Sequence, residues 1–120
     1  MALILVFDEE EDACQLMRRI LTDAGHRTVA FSDAGEAMEW LRTNSPELVL
    51  LDFKLRGTGE LGVLSFICRN RPEIKTVLIT GRSSPEVEKR AAQLGIRDYL
   101  IKPLGIGEIE EHISRVLGQP

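Results

Sequence analysis

Four short, unbroken apolar runs each end in a residue able to do phosphate or metal chemistry. Leu3-Ile4-Leu5-Val6-Phe7 runs into Asp8-Glu9, and Leu48-Val49-Leu50-Leu51 runs into Asp52. Val77-Leu78-Ile79 runs into Thr80, and Tyr99-Leu100-Ile101 runs into Lys102-Pro103. Runs of this length read as strands buried on both faces, as in a parallel sheet. In an open parallel sheet, ligands bind at the carboxyl ends of the strands. Three carboxylates, one hydroxyl and one amine are therefore expected to converge on one edge. Such a set can hold a divalent cation, offer an aspartate nucleophile and grip a phosphoryl group that lands on it.

Between these runs the chain alternates strand with helix. Strands are expected at about Leu3–Phe7, Thr28–Phe31, Leu48–Leu51, Thr76–Ile79 and Asp98–Ile101. The second is short and mixed, as an edge strand tends to be. Helices are expected at about Glu11–Ala24, from Ser32-Asp33 to Thr43, at Leu61–Asn70, after Ser84-Pro85, and at Ile106–Leu117. Cys14, Met17, Ile20 and Leu21 form one face of the first, which Gly25 stops. Glu36 is placed for a capping box in the second. Pro85 suits the first position of the fourth, with Ser84 as its cap and Gly95 as its end. Five beta-alpha units with right-handed crossovers place helices on both sides of the sheet.

A chain of 120 residues suits one domain with one real core. The net charge of -4 argues against direct binding of nucleic acid, which needs a basic face. No apolar stretch approaches the roughly 20 residues of a membrane span. The apolar start runs into acids without a basic leader, so no signal peptide is expected and a cytoplasmic location is. Cys14 and Cys68 form no close metal pair and read as reduced core thiols. His26 and His112 read as surface residues outside the motifs, which does not suit a phosphohistidine donor. Trp40 reads as packing for the second helix.

Each polar residue alone has a plain explanation. An acid after a strand is often a helix cap. Glu10, Glu11 and Asp12 suit the first turn of a helix dipole. Asp8 and Glu9 differ because they are crowded where other strand ends converge, and like charges so close need a cation. Oxygen-rich ligands with open water positions suit magnesium. Asp52 follows four apolar residues, where a lone carboxylate is costly without a partner. Lys102 is the expected partner, and that pairing is compatible with a nucleophilic Asp52. An aspartate nucleophile needs an in-line phosphoryl donor, a metal, and donors for the equatorial oxygens. Thr80 and Lys102 can supply those donors.

Together these motifs resemble the bacterial two-component response-regulator receiver domain, of the chemotaxis-regulator kind, over essentially the whole chain. Ile4 to Glu10 is similar to the family's first strand and acidic pair. Leu48 to Asp52 is similar to its phosphoacceptor strand, Val77 to Gly81 to the strand carrying the switch hydroxyl, and Asp98 to Pro103 to the segment with the switch aromatic and the lysine. The resemblance implies a flavodoxin-like, doubly wound five-stranded parallel sheet of order 2-1-3-4-5. It implies phosphoryl transfer from a histidine-kinase phosphohistidine to Asp52, with Mg2+ held by Asp8 or Glu9, Asp52 and the backbone carbonyl of Lys54. It also implies a switch coupling Thr80 to Tyr99 and a cis Lys102-Pro103 peptide. Phosphorylation would then act on the surface of the fourth helix, fifth strand and fifth helix. The first helix and the loop after Lys102 would serve kinase docking. Cys14 and Cys68 would be separated by the sheet.

The chain departs from the family pattern in places. Glu9 stands where a second aspartate is usual. The Arg56–Gly62 segment lacks the usual proline at Arg56 and reads as a longer loop. Leu104 replaces a common phenylalanine, a packing change.

Rival readings lack a residue each requires. An aspartate-nucleophile phosphatase of the haloacid dehalogenase type places an acid two residues after the nucleophile, where this chain has Lys54. A flavin-binding domain wants a Ser/Thr/Gly phosphate loop after the first strand, where this chain has five successive acids. The alternative that stays open is a phosphorylation-independent receiver-like docking module: intact Asp8, Asp52, Thr80 and Lys102 argue against it, and the unusual Arg56–Gly62 loop keeps it in play. The expectation is a single receiver domain over residues 1–120 without an output domain, a self-phosphorylating and autodephosphorylating phosphoacceptor rather than a turnover enzyme. Its expected partners are a sensor histidine kinase or phosphotransfer protein and a downstream protein or linked output domain, with no membrane. It is expected to be a monomer or a weak homodimer through the switch surface.

Overall fold

The computed structural model describes residues 2–53, 59–81, 85–96 and 98–118. Ten elements alternate: β1 (Leu3–Phe7), α1 (Glu11–Asp23), β2 (Arg27–Phe31), α2 (Ala34–Thr43), β3 (Leu48–Phe53), α3 (Gly59–Asn70), β4 (Lys75–Thr80), α4 (Pro85–Gln93), β5 (Asp98–Ile101) and α5 (Ile106–Val116). The strands form one parallel sheet in the order β2-β1-β3-β4-β5.

The pleat splits each apolar run between two cores. Leu5 and Phe7 of β1, Val49 and Leu51 of β3 and Leu78 of β4 face one side. There they meet Ala37 and Leu41 of α2, Val63, Leu64 and Ile67 of α3, and Ala91 of α4. Ile4, Val6, Leu48, Leu50, Val77 and Ile79 face the other, against Cys14 and Leu21 of α1 and Ile109 and Ile113 of α5. A strand buried on both faces needs no polar alternation, which is why the runs are continuous. Cys14 belongs to the α1/α5 side and Cys68 packs on the opposite side, so both thiols are free.

Local chemistry explains the helix ends. The Asp33 carboxylate accepts from the Glu36 N–H at 2.9 Å and caps α2. Ser32 does not share that role; its hydroxyl donates to Glu11 at 2.6 Å. Gly25 and Gly95 follow α1 and α4 with φ of +96° and +77°, the left-handed region that glycine enters without strain. Trp40 packs α2 against β2, its ring centroid 6.1 Å from that of Phe31.

Five expectations need correction. β3 runs two residues past its apolar stretch, because Asp52 and Phe53 keep their pairing with Ile79 and Thr80. β4 likewise includes Thr80. α3 begins at Gly59, so the Gly59–Gly62 part of the expected loop is helical; Lys54 to Thr58 and the Ser84 cap lie outside the described residues. His112 is not a surface residue: its side chain is 15% exposed and faces Asp98 at 3.8 Å. His26 is half-buried, and its Nδ1 accepts from the Ala2 N–H at 3.4 Å.

Candidate functional site

Asp8, Asp52, Thr80 and Lys102 gather at the carboxyl edge of the sheet. β1 and β3 are neighbours, so the residues ending their apolar runs lie side by side. Asp8 and Asp52 are both buried, and so is Thr80 at the end of β4. Lys102 follows β5 directly, and its N–H donates to the Thr80 carbonyl at 2.8 Å. That bond sets the lysine's starting point, and its Nζ donates to Asp52 Oδ2 at 2.6 Å. The Lys102-Pro103 peptide is cis.

The electrostatics centre on Asp52. Burial pushes its carboxyl above the ordinary aspartate range. The Lys102 ammonium opposes that shift, and the nearby Asp8 carboxyl adds to it. Asp52 Oδ1 is buried and has no hydrogen-bond partner among the described residues. Asp8 Oδ1 accepts from the Glu10 N–H at 2.9 Å, which turns the chain into α1. Two buried carboxylates side by side, one with an orphaned oxygen, are what a hard divalent cation would satisfy, and the residues present fit one.

Glu9 stands apart from that pair. It is exposed, and a Cβ on Gly59 would sit 2.9 Å from Glu9 Oε1, so the carboxylate lies over the start of α3. Among the described residues no three acidic, histidine or cysteine side chains form a metal-holding group. Lys54 lies outside the described residues.

A cleft of about 530 Å³ opens beside Asp52 and Lys102. Its walls are Ala13, Leu16, Met17 and Ile20 of α1 with Leu104 and Ile109 near α5. A somewhat larger cleft of about 570 Å³ lies at the opposite sheet edge, around Cys68, Lys75 and His112, away from the carboxylates.

Tyr99 pairs in register with Leu78 and packs on the α2/α3/α4 side. Alternation along β4 gives Thr80 the same side as Leu78. Sequence reasoning missed two features. Glu60 is fully buried in the first turn of α3, and its spacing to Val63, Leu64 and Ile67 would have placed it on the buried face. The Tyr99 hydroxyl donates to Glu88 of α4 at 2.9 Å, a contact between elements that spacing does not reveal.

The model of the response regulator receiver domain matches residues 4–114. This chain belongs to the response regulator receiver domain family. The receiver is 31% identical over 116 residues to the nitrogen assimilation regulatory protein NtrX of Azorhizobium caulinodans, covering 95% of this chain and 26% of that protein. It is 28% identical over 112 residues to the DNA-binding transcriptional regulator NtrC of Klebsiella pneumoniae, covering 93% and 24%. Crystallised NtrX from Brucella abortus superposes with a TM-score of 0.86 at 34% identity, over 98% of this receiver and 27% of that chain. A CheY-like receiver protein from Methanospirillum hungatei shares the fold with a TM-score of 0.89 at 24% identity, over 98% of this receiver and 94% of that chain. The receiver spans about a quarter of the length of the curated relatives it matches. Among the described residues no helix is long and apolar enough to cross a membrane.

Proposed function

We propose that this receiver domain accepts a phosphoryl group on Asp52 and passes the event to a second surface. The carrying observation is Asp52 itself: a buried carboxylate with a lysine ammonium at 2.6 Å, a second acid beside it and an open cleft in front. A carboxylate in such a place is costly for folding alone, and the cost is explained by nucleophilic work.

An Asp52 oxygen attacks the phosphorus of a phosphohistidine, and the phosphorus–nitrogen bond breaks. The imidazole nitrogen leaves with the bonding pair, and Asp52 becomes a mixed acyl phosphate. Lys102, already aimed at Asp52, donates to one phosphoryl oxygen, and the Thr80 hydroxyl donates to another. Asp8 and Asp52, with the Lys54 carbonyl and with Glu9 reaching through water, are the groups that would hold Mg2+. That cation, when bound, supplies positive charge that lets a phosphoryl group approach two carboxylates.

The donor protein is a histidine kinase or a phosphotransfer protein. Exposed Leu16 lines the apolar cleft beside Asp52, which suits a docked helical partner. The output runs through α4, β5 and α5 to a linked output domain or a separate protein. NtrC is named as DNA-binding; the net charge of -4 here assigns no DNA contact to this domain.

Intact-protein mass after acetyl phosphate and Mg2+ tests the reading. One labile phosphoryl adduct is expected in the native chain and none in Asp52→Asn. Equal adducts in both would refute it.

A further inference from the structure

We propose that Glu88 is a positioning residue that holds Tyr99 at the exposed edge of α4, and so sets how readily the switch surface changes. The second half of this claim rests on the phosphoryl-switch reading above.

Among the described side chains of α4, Ala91 is the one buried in the core. Glu88 lies three residues before Ala91, next to the buried face of α4 and facing β5. Its carboxylate accepts the Tyr99 hydroxyl at 2.9 Å. The Tyr99 ring packs against the core on the α4 side, and its hydroxyl spans the remaining gap to the helix. Hydrogen bonds to an ionised acceptor are roughly twice as strong as neutral ones. This one ties the edge strand β5 to α4.

Position in the sheet gives the tie its consequence. Tyr99 is paired with Leu78, two residues before Thr80 on the same side of β4. Any movement of Tyr99 toward Thr80 must first release Glu88. Glu88 is exposed, so water replaces the lost bond, and the barrier to release stays modest. The tie therefore biases two arrangements rather than locking one. An exposed charge-assisted bond of this kind is expected to hold the equilibrium back by roughly three- to tenfold.

Tyr99 is the single tyrosine of the chain, so biosynthetic 3-fluorotyrosine gives one fluorine signal reporting this side chain alone. In protein without phosphoryl donor, Glu88→Ala should move that signal toward the position reached by the native chain with Mg2+ and beryllofluoride. The apparent affinity for beryllofluoride with Mg2+, read by titration calorimetry, should tighten roughly three- to tenfold in Glu88→Ala. In the Tyr99→Phe background the same substitution should change it less than about twofold. An unmoved fluorine signal in Glu88→Ala overturns the tie. Equal tightening with and without the Tyr99 hydroxyl overturns it too, since the effect would not pass through that group. Should the native chain ignore beryllofluoride while Glu88→Ala still moves the fluorine signal, the tie stands and the phosphoryl-switch reading fails.

Discussion

The surroundings of Asp52 disfavour its ionised form, and this is testable without any kinase. Burial raises its pKa, Lys102 opposes the shift, and Asp8 adds to it. A group whose folded pKa lies above its unfolded value contributes stability at low pH, and that contribution is lost as pH rises through the folded pKa. Once ionised, Asp52 therefore weakens the cation-free protein. A divalent cation relieves this only where the carboxyl is ionised. The rise in thermal midpoint on adding millimolar Mg2+ is thus predicted to grow as pH rises from the ordinary aspartate range through the raised Asp52 pKa. A gain that is flat across that range would mean that the cation binds elsewhere. By the same reasoning Asp8→Asn should stabilise the cation-free protein by about 1 kcal/mol, because it removes the neighbouring like charge. Urea unfolding at neutral pH without metal measures it, and a loss of stability would contradict the repulsion. Lys102 escapes this problem, since its stem reaches the carboxylate while its side chain remains 40% exposed.

At the scale of elements, glycines separate backbone strain from space. A Cβ added at Gly25 or at Gly81 meets nothing within 4 Å among the described residues, but of the two only Gly25 has a positive φ, +96°. Gly25→Ala should therefore cost about 1–2 kcal/mol and Gly81→Ala close to nothing, both read by urea unfolding. Equal effects would show that space, not φ, decides. Most elements were legible because their periods are plain: buried strands give continuous runs, and amphipathic helices repeat every three to four residues. The misses have physical reasons. Asp52 and Thr80 end their apolar runs but not their ladders, since a polar side chain at a sheet edge leaves backbone pairing intact. Gly59-Glu60-Leu61-Gly62 looks like a turn by composition, yet Glu60 with Val63, Leu64 and Ile67 carries helical spacing. His112 sits between Ile109 and Ile113 on α5, so its helix face, rather than its polarity, decides its burial. The Asp8–Asp52–Lys102 convergence was legible from where the runs stop. The Glu88–Tyr99 bond was not, because it depends on how α4 rolls over β5.

The whole molecule is a sheet with two separate cores, and this gives each cysteine its own side. Burial raises the pKa of both Cys14 and Cys68 above the ordinary thiol value. Thiolate is the reactive form, so native alkylation should be slow at pH 7.5, rise with pH, and reach two groups per chain only on unfolding. Fewer than two groups in unfolded, unreduced protein would mean that a disulfide had formed across the sheet. The same layering separates the proposed acceptor from its proposed readout. Asp52 lies on the α1/α5 side by alternation with Leu48 and Leu50, whereas Tyr99 lies on the α4 side. Thr80, at the sheet edge between them, is the group placed to link the two. Hydrogen exchange with Mg2+ and beryllofluoride should therefore change most in α4, β5 and α5 and least in β2 and α2. Changes confined to the start of α3 would instead make that segment the output surface. All of this depends on Asp52 being the acceptor. Borohydride reduces an aspartyl acyl phosphate to homoserine, so treating the acetyl-phosphate-loaded chain with borohydride and sequencing its peptides by mass reads the modified position directly. The account predicts homoserine at position 52 alone, dependent on Mg2+. Homoserine at another aspartate, or none in a chain that has gained a phosphoryl group, would contradict it.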